Sequence, residues 1–248
     1  MTGVAVTLFS LILGSFLNAI LYRYNTGRSA LSGRSCCMHC GHRLGVLDLV
    51  PLFSYAWLKG RCRYCFSKVS WQYPLVEAAA ALLGLGVYLQ TPSWIFFGID
   101  FCLWLTLLFI VVYDFRHFII PWSALALVAV LSLAHWYLAG WGGWNLAAGL
   151  FLAAPLLLIS LISKGRWMGW GDGLLEISLG WLLGLSAGGT AFVLAFWAGA
   201  LVGIGAILLS KRYTMNSEVP FAPFLILGAG CAYFLHVDFF QTVASLFL

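Results

Sequence analysis

The chain has 248 residues, 62% of them hydrophobic and only 8% charged, with 13 Lys and Arg against 8 Asp and Glu for a formal net charge of +5. Its apolar runs are long enough to cross a bilayer, which excludes a water-soluble enzyme or binding module and marks a polytopic membrane protein. The basic excess lies in alternate loops, so it reports membrane topology and anionic lipid, and nucleic acid is not expected as a partner.

Apolar runs of about 17 to 25 residues predict transmembrane helices near 3–22, 73–90, 94–113, 119–138, 145–163, 174–188, 190–210 and 221–244, the sixth being short and glycine-rich. The expected fold class is all-α, with about eight transmembrane helices and one polar loop. The first run has no basic residue before it and carries Arg23 just after it, a charge order that predicts a retained helix and no cleaved signal peptide. Eight basic residues lie between Arg23 and Lys68, and the others are Arg116, Lys164, Arg166, Lys211 and Arg212. Loops that retain basic residues face the cytoplasm, so both termini are expected outside and the long first loop inside.

That loop, residues 23–72, is the only sizeable polar segment. It holds Cys37-Met38-His39-Cys40 and Cys62-Arg63-Tyr64-Cys65. Two such pairs supply four thiolates to one tetrahedral zinc ion, and the gap between them is slightly longer than the usual 15 to 20 or so residues. Gly41 and Gly60 permit tight turns beside the pairs. A pair of disulfides or four free thiols are the competing readings, the first disfavoured in a reducing cytoplasm. A segment this polar builds no core of its own, so metal binding would supply the energy that orders it. Cys36, His39 and His42 are expected at the surface, and Cys102 and Cys231 as packing residues within apolar spans.

Asp114 closes the third span, and Pro121 suits the first turn of the next helix. Asp172 opens the sixth span within Gly169-Trp170-Gly171-Asp172. An ionised carboxylate at the centre of a transmembrane helix costs on the order of 3 kcal/mol, so acids at such positions usually face protein or water. Both aspartates border spans on the same membrane face, as an acid/base dyad requires, because two adjacent carboxylates share one proton. Asp172 is equally explained as a helix N-terminal cap, whereas Asp114 opposes the helix dipole. Glu77, Asp100, Glu176 and Asp238 are the remaining acids in or beside spans, with Asp100 and Asp238 expected toward the outer interface.

The motifs resemble those of the type IV prepilin peptidases, GxGD-type membrane aspartic proteases, along nearly the whole chain. Ser15-Phe16-Leu17-Asn18 with Tyr22-Arg23 is similar to the end of that family's first helix. Cys40-Gly41-His42, Asp48-Leu49-Val50-Pro51-Leu52, Ser54-Tyr55, the run from Lys59 to Cys65, and Tyr73-Pro74-Leu75-Val76-Glu77 are similar to its cytoplasmic loop in order and spacing. Asp114 with Pro121, the Gly169 to Asp172 run, and Pro220-Phe221-Ala222-Pro223-Phe224 complete the pattern. The resemblance implies a division into a first helix (1–22), a tetracysteine module (23–72) and a transmembrane aspartic peptidase domain (73–248).

It also implies that Asp114 and Asp172 are the catalytic dyad. They would remove a short basic leader from type IV prepilin or pseudopilin precursors at the bacterial inner membrane, after a glycine and before a residue that is usually phenylalanine. A second activity is implied for members with the cysteine loop: methylation of the freed amine with S-adenosylmethionine as donor. No glycine-rich nucleotide loop marks a donor site. Two departures stand out. Leu174 and Trp122 occupy positions where the family usually has Lys and Asp or Asn, and loss of the lysine removes a cation near Asp172 that Lys164 or Arg166 would have to replace. The alternative is a non-catalytic scaffold of a pilin or secretion system. A proton-coupled transporter fits less well, because such sites lie near the bilayer midplane.

Overall fold

The computed structural model describes residues 2–27, 29, 33–91, 93–209, 219–240 and 242, which leaves Lys211, Arg212 and the far end of the last predicted span outside the described residues. The described residues form α1 (Thr2–Arg23), a 3-10 turn (Val46–Asp48), α2 (Phe53–Trp57), α3 (Gln72–Gln90), α4 (Trp94–His117), α5 (Trp122–Leu138), α6 (Gly143–Ser163), α7 (Trp170–Leu209) and α8 (Ala222–Leu235). No strand occurs among them, and the protein is an all-α multi-pass membrane protein. Helices α1, α3, α4, α6 and α7 are long and apolar enough to span a bilayer, while α5 and α8 are shorter apolar helices.

Three predicted boundaries are corrected. The sixth and seventh spans form the single element α7, broken at Gly184 and not at 188–190. Gly184 has φ 75° and ψ −176°, a conformation essentially confined to glycine. Gly188 comes back beside Gly180, with a Cβ built on Gly188 only 3.7 Å from the Gly180 Cα, whereas one continuous helix would separate them by about 12 Å. Pro121 is the residue preceding α5 and not its first turn, with φ −66° and ψ 129°. Helix α8 ends at Leu235, because His236 turns left-handed at φ 52°, and helical backbone resumes at Phe239 and Phe240.

The chain divides into two compact units, Met1–Phe97 and Gly98–Leu248. In the first, α1 lies on α3 through small residues. A Cβ on Gly14 would come 2.8 Å from the Ala80 Cβ and 3.0 Å from the Glu77 backbone. Lipid tails are as apolar as leucine, so helices in a membrane associate by such close approach and by interhelical hydrogen bonds. Asn18, fully buried, donates to the Tyr73 carbonyl at 3.2 Å and accepts from Gln72 at 3.2 Å, and Tyr22 stacks on Tyr73 with ring centres 5.3 Å apart.

The second unit follows the same rule. Gly149 of α6 meets the Ile177 carbonyl and Gly180 of α7, Gly173 meets Leu157, and Gly228 of α8 meets the Ala191 carbonyl, all so closely that an added Cβ would clash. Helix α4 buries Asp100, Leu103, Trp104, Leu107, Ile110 and Asp114 along one face. Cys102 lies on its opposite, exposed side, because residues two positions apart on a helix point away from each other.

Candidate active site and metal centre

In the first unit the two Cys-x-x-Cys pairs make matching turns. Gly41 donates to the Cys37 carbonyl at 2.9 Å and Cys37 to the His42 carbonyl at 2.9 Å; correspondingly, Phe66 donates to Cys62 at 3.0 Å and Cys62 to Ser67 at 2.9 Å. Bridges between Cys36 and Arg43 and between Arg61 and Lys68 close each turn. The left-handed residue of the first turn is Gly41, as expected, but its counterpart in the second is Phe66 at φ 58°, while Gly60 precedes the pair at φ 68°. A residue at 60 with a side chain would run into Tyr55, whose hydroxyl lies 2.8 Å from an added Cβ.

The turns bring the sulfurs of Cys37, Cys40, Cys62 and Cys65 within 4.8 Å of one another, with Cys37 and Cys65 at 3.8 Å. Zn–S bonds of about 2.3 Å place the sulfurs of a tetrahedral site about 3.8 Å apart, so the donor set fits zinc. The Cys40 backbone N–H, aimed at the Cys37 sulfur, pulls that thiol down to about 6. Cys40 goes the other way: against the lowering pull of the His42 N–H, burial and the Cys65 and Cys37 sulfurs push it up to about 11. Four thiols this close do not all ionise without a cation between them. Cys36, His39 and His42 are exposed, and the His42 ring lies on Tyr64 with centres 3.6 Å apart.

Asp48 ties the module together. It receives the Gly45 N–H at 3.0 Å, Arg63 Nε at 2.7 Å and the Tyr64 hydroxyl at 3.3 Å. Burial works to raise its pKa, but the Gly45 N–H and the Arg63 guanidinium outweigh it and hold the carboxyl below its ordinary value. Glu77 does the same work at the start of α3, accepting the Leu52 N–H at 2.8 Å and a hydrogen bond from Ser15 of α1. Leu52 sits at φ 60°, a strained backbone that this bond holds in place. Ser15, Asn18, Tyr22, Asp48, Leu52, Tyr73 and Glu77, scattered through separate sequence motifs, thus take part in three clusters of one unit, centred on Asn18, Asp48 and Glu77.

In the second unit Asp114, 4% exposed, ends one face of α4, and Asp172, 9% exposed, sits in the first turn of α7. The charge of Asp114 acts on Asp172, so the fold brings the two acids within electrostatic reach. A backbone N–H faces each carboxylate: that of Ala222, in the first turn of α8, faces Asp114, and that of Gly169 faces Asp172. The Gly169 carbonyl receives the Asp172 N–H at 3.3 Å, which makes a reciprocal helix cap. A side chain at 169 would press on the Asp172 carboxylate at 3.3 Å, and one at 171 on Ile120 at 3.2 Å, which explains both glycines of Gly-Trp-Gly-Asp. Glu176, one turn further on the same face of α7, is 2% exposed.

The Ala222 N–H was missed in the sequence reading, although the Pro-Phe-Ala-Pro-Phe motif singled out its neighbours. Asp100, expected toward the outer interface, is 1% exposed, 2.6 Å from His135 Nδ1 of α5 and 2.7 Å from the Tyr233 hydroxyl of α8. Asp238 accepts from Ser186 at 2.7 Å. On α4, Asp100 lies about 21 Å along the axis from Asp114, so its network is a separate structural tie between three helices. Leaving a buried polar group of a hydrogen-bonded network without its partner costs about 1–3 kcal/mol. Asp100→Ala is expected to lower the thermal unfolding midpoint in detergent by several degrees; an unchanged midpoint would deny the network that role.

A multi-pass helical membrane protein with a tetracysteine centre in one unit and a buried acid pair in the other is the class these features define. A model of the bacterial peptidase A24 N-terminal domain matches residues 8–91. The chain is 30% identical over 263 residues to the prepilin leader peptidase/N-methyltransferase of Aeromonas hydrophila, covering 92% of this chain and 88% of that protein. It is 32% identical over 237 residues to the protein of the same name from Bacillus subtilis (strain 168), covering 91% of each. The chain belongs to the prepilin leader peptidase/N-methyltransferase family. No solved structure matches it.

Proposed function

We propose that the chain is a membrane aspartic endopeptidase that removes the leader of type IV prepilin or pseudopilin precursors at the cytoplasmic face of the inner membrane. The observation that carries this reading is the pairing of Asp114 and Asp172, both buried and electrostatically coupled, from helices far apart in sequence. One carboxylate takes a proton from the attacking water while its protonated partner delivers one to the leaving amine. The Ala222 and Gly169 N–H groups orient the two carboxylates, and the apolar surroundings limit the water that reaches them. The cytoplasmic location rests on the basic loops that flank both acids, Arg116 on one side and Lys164 and Arg166 on the other.

Zinc held by Cys37, Cys40, Cys62 and Cys65 is the structural ion of the 23–72 module, and residues 73–248 form the peptidase portion. The product's new N-terminal amine is then methylated with S-adenosylmethionine, an activity carried in the name of the relatives. Purified protein incubated with a prepilin and methyl-labelled S-adenosylmethionine is expected to yield a shortened, labelled product, read by mass spectrometry. An intact precursor would favour the second reading, a non-catalytic scaffold of a pilin or secretion system, for which Leu174 in place of the family's lysine is the favouring observation.

A further inference from the structure

The proposed chemistry requires the Asp172 carboxylate to be held still, yet this residue follows a loop, 164–169, that begins with Lys164 and Gly165 in left-handed conformations, φ 52° and 78°. Two serines of α6 fold that loop back. Ser160, with no solvent exposure, directs its hydroxyl at two carbonyls, Met168 at 3.1 Å and Gly169 at 3.3 Å, and its own carbonyl accepts the Gly165 N–H at 2.8 Å. Ser163, 3% exposed, receives the Trp167 N–H on its hydroxyl at 3.3 Å. Every other buried serine hydroxyl with a recorded partner in α1 or α7 bonds a carbonyl of its own helix, as Ser10 does to Val6 and Ser178 to Leu174. Ser160 instead reaches out of its helix, to the peptide that carries the cap of Asp172.

We propose that Ser160 is a positioning residue for proteolysis: by holding the Met168 and Gly169 carbonyls it fixes the peptide whose N–H orients the Asp172 carboxylate. The proposal rests on the reading of Asp172 as catalytic. The chain of contacts is short. Ser160 fixes the Gly169 carbonyl, the same residue's N–H meets the Asp172 side chain, and the Asp172 N–H returns to the Gly169 carbonyl. Helix α6 is itself locked to α7 by Gly173 against Leu157 and by Gly149 against Gly180, so the serine acts from a rigid support. A lost clamp lets the Gly169 peptide turn, and a shift of about 1 Å in a catalytic group costs on the order of a hundredfold in rate.

The test is steady-state cleavage of a prepilin by full-length Ser160→Ala, Ser160→Thr and Ser132→Ala. Ser132 is also fully buried, but its hydroxyl has no hydrogen-bond partner among the described residues, so its replacement controls for removal of a buried hydroxyl. Ser160→Ala is expected to lower kcat about 10- to 100-fold with KM unchanged, because the substrate still binds while the acid is misplaced. Ser160→Thr keeps the hydroxyl and restores most of kcat, and Ser132→Ala matches the unmodified protein. A Ser160→Ala kcat equal to that of Ser132→Ala overturns the proposal, as does a loss confined to KM. If Thr does not fit, hydrogen exchange decides: faster exchange of the Gly169 and Asp172 amides in a folded Ser160→Ala supports the clamp, and unchanged exchange overturns it. The underlying reading fails separately, through retained cleavage in Asp172→Ala.

Discussion

Alanine in place of Asp114 or Asp172 is expected to abolish leader removal while the protein still folds, extracts and elutes as the unmodified chain does. General acid–base groups contribute about a hundred- to ten-thousandfold each, and residues that act as a unit do not add. Each single replacement is therefore expected to reduce cleavage by at least about a thousandfold, and the double replacement by little more. Stability argues the same way. Both carboxylates are buried, each faced by a backbone N–H and, among the described residues, by no cation, so removing one takes away a charge that is costly to bury. Asp114→Asn and Asp172→Asn, which keep the shape and lose the proton chemistry, separate catalysis from packing. Substantial cleavage by any of these variants in a prepilin assay would remove the aspartyl mechanism.

Zinc is expected to remain with the purified protein at about one equivalent per chain, and replacement of Cys62 by serine is expected to release it. Cys62 is the most buried of the four cysteines, at 5% exposure. Structural zinc sites contribute about 10–16 kcal/mol in small modules, more than the apolar contacts of residues 33–72 can replace: Val46, Leu47, Phe53, Trp57 and Phe66 are all exposed there. Loss of the ion should therefore open the module to proteases. Limited proteolysis of Cys62→Ser, or of chelated protein, is expected to cut between Cys37 and Lys68, where the metal-bound form resists. Elemental analysis that finds no metal in undamaged protein would exclude the structural ion.

Much of the architecture was legible because hydropathy is a local property. The spans near 3–22, 73–90 and 145–163 need only a run of apolar side chains of bilayer length, and α1, α3 and α6 match them closely. The two Cys-x-x-Cys pairs were equally plain, since a tetrahedral site imposes short spacing within each pair. Less visible was the turn at Gly184, hidden in a long apolar run with several glycines, because only backbone angles say which glycine breaks the helix. Phe66 in a left-handed turn was not to be expected either. Its strain is borne by the hydrogen bonds of the second knuckle, which exist only once the module is closed.

The amino-acid order alone determined that this is a helical membrane protein, which loops carry its positive charge, and which acids and cysteines are candidates for chemistry. Partnership was left to the packed chain. That Asp172 lies against Gly169, Ser160 against the Gly169 carbonyl, Asp114 against Ala222, and Asp100 against His135 and Tyr233 follows from helices crossing at glycines and from which carboxylates those crossings bury. Hydrophobicity is set residue by residue and can be read along a line. The environment of a carboxylate depends on segments far away in sequence, and it takes form only when close approach has excluded both lipid and water.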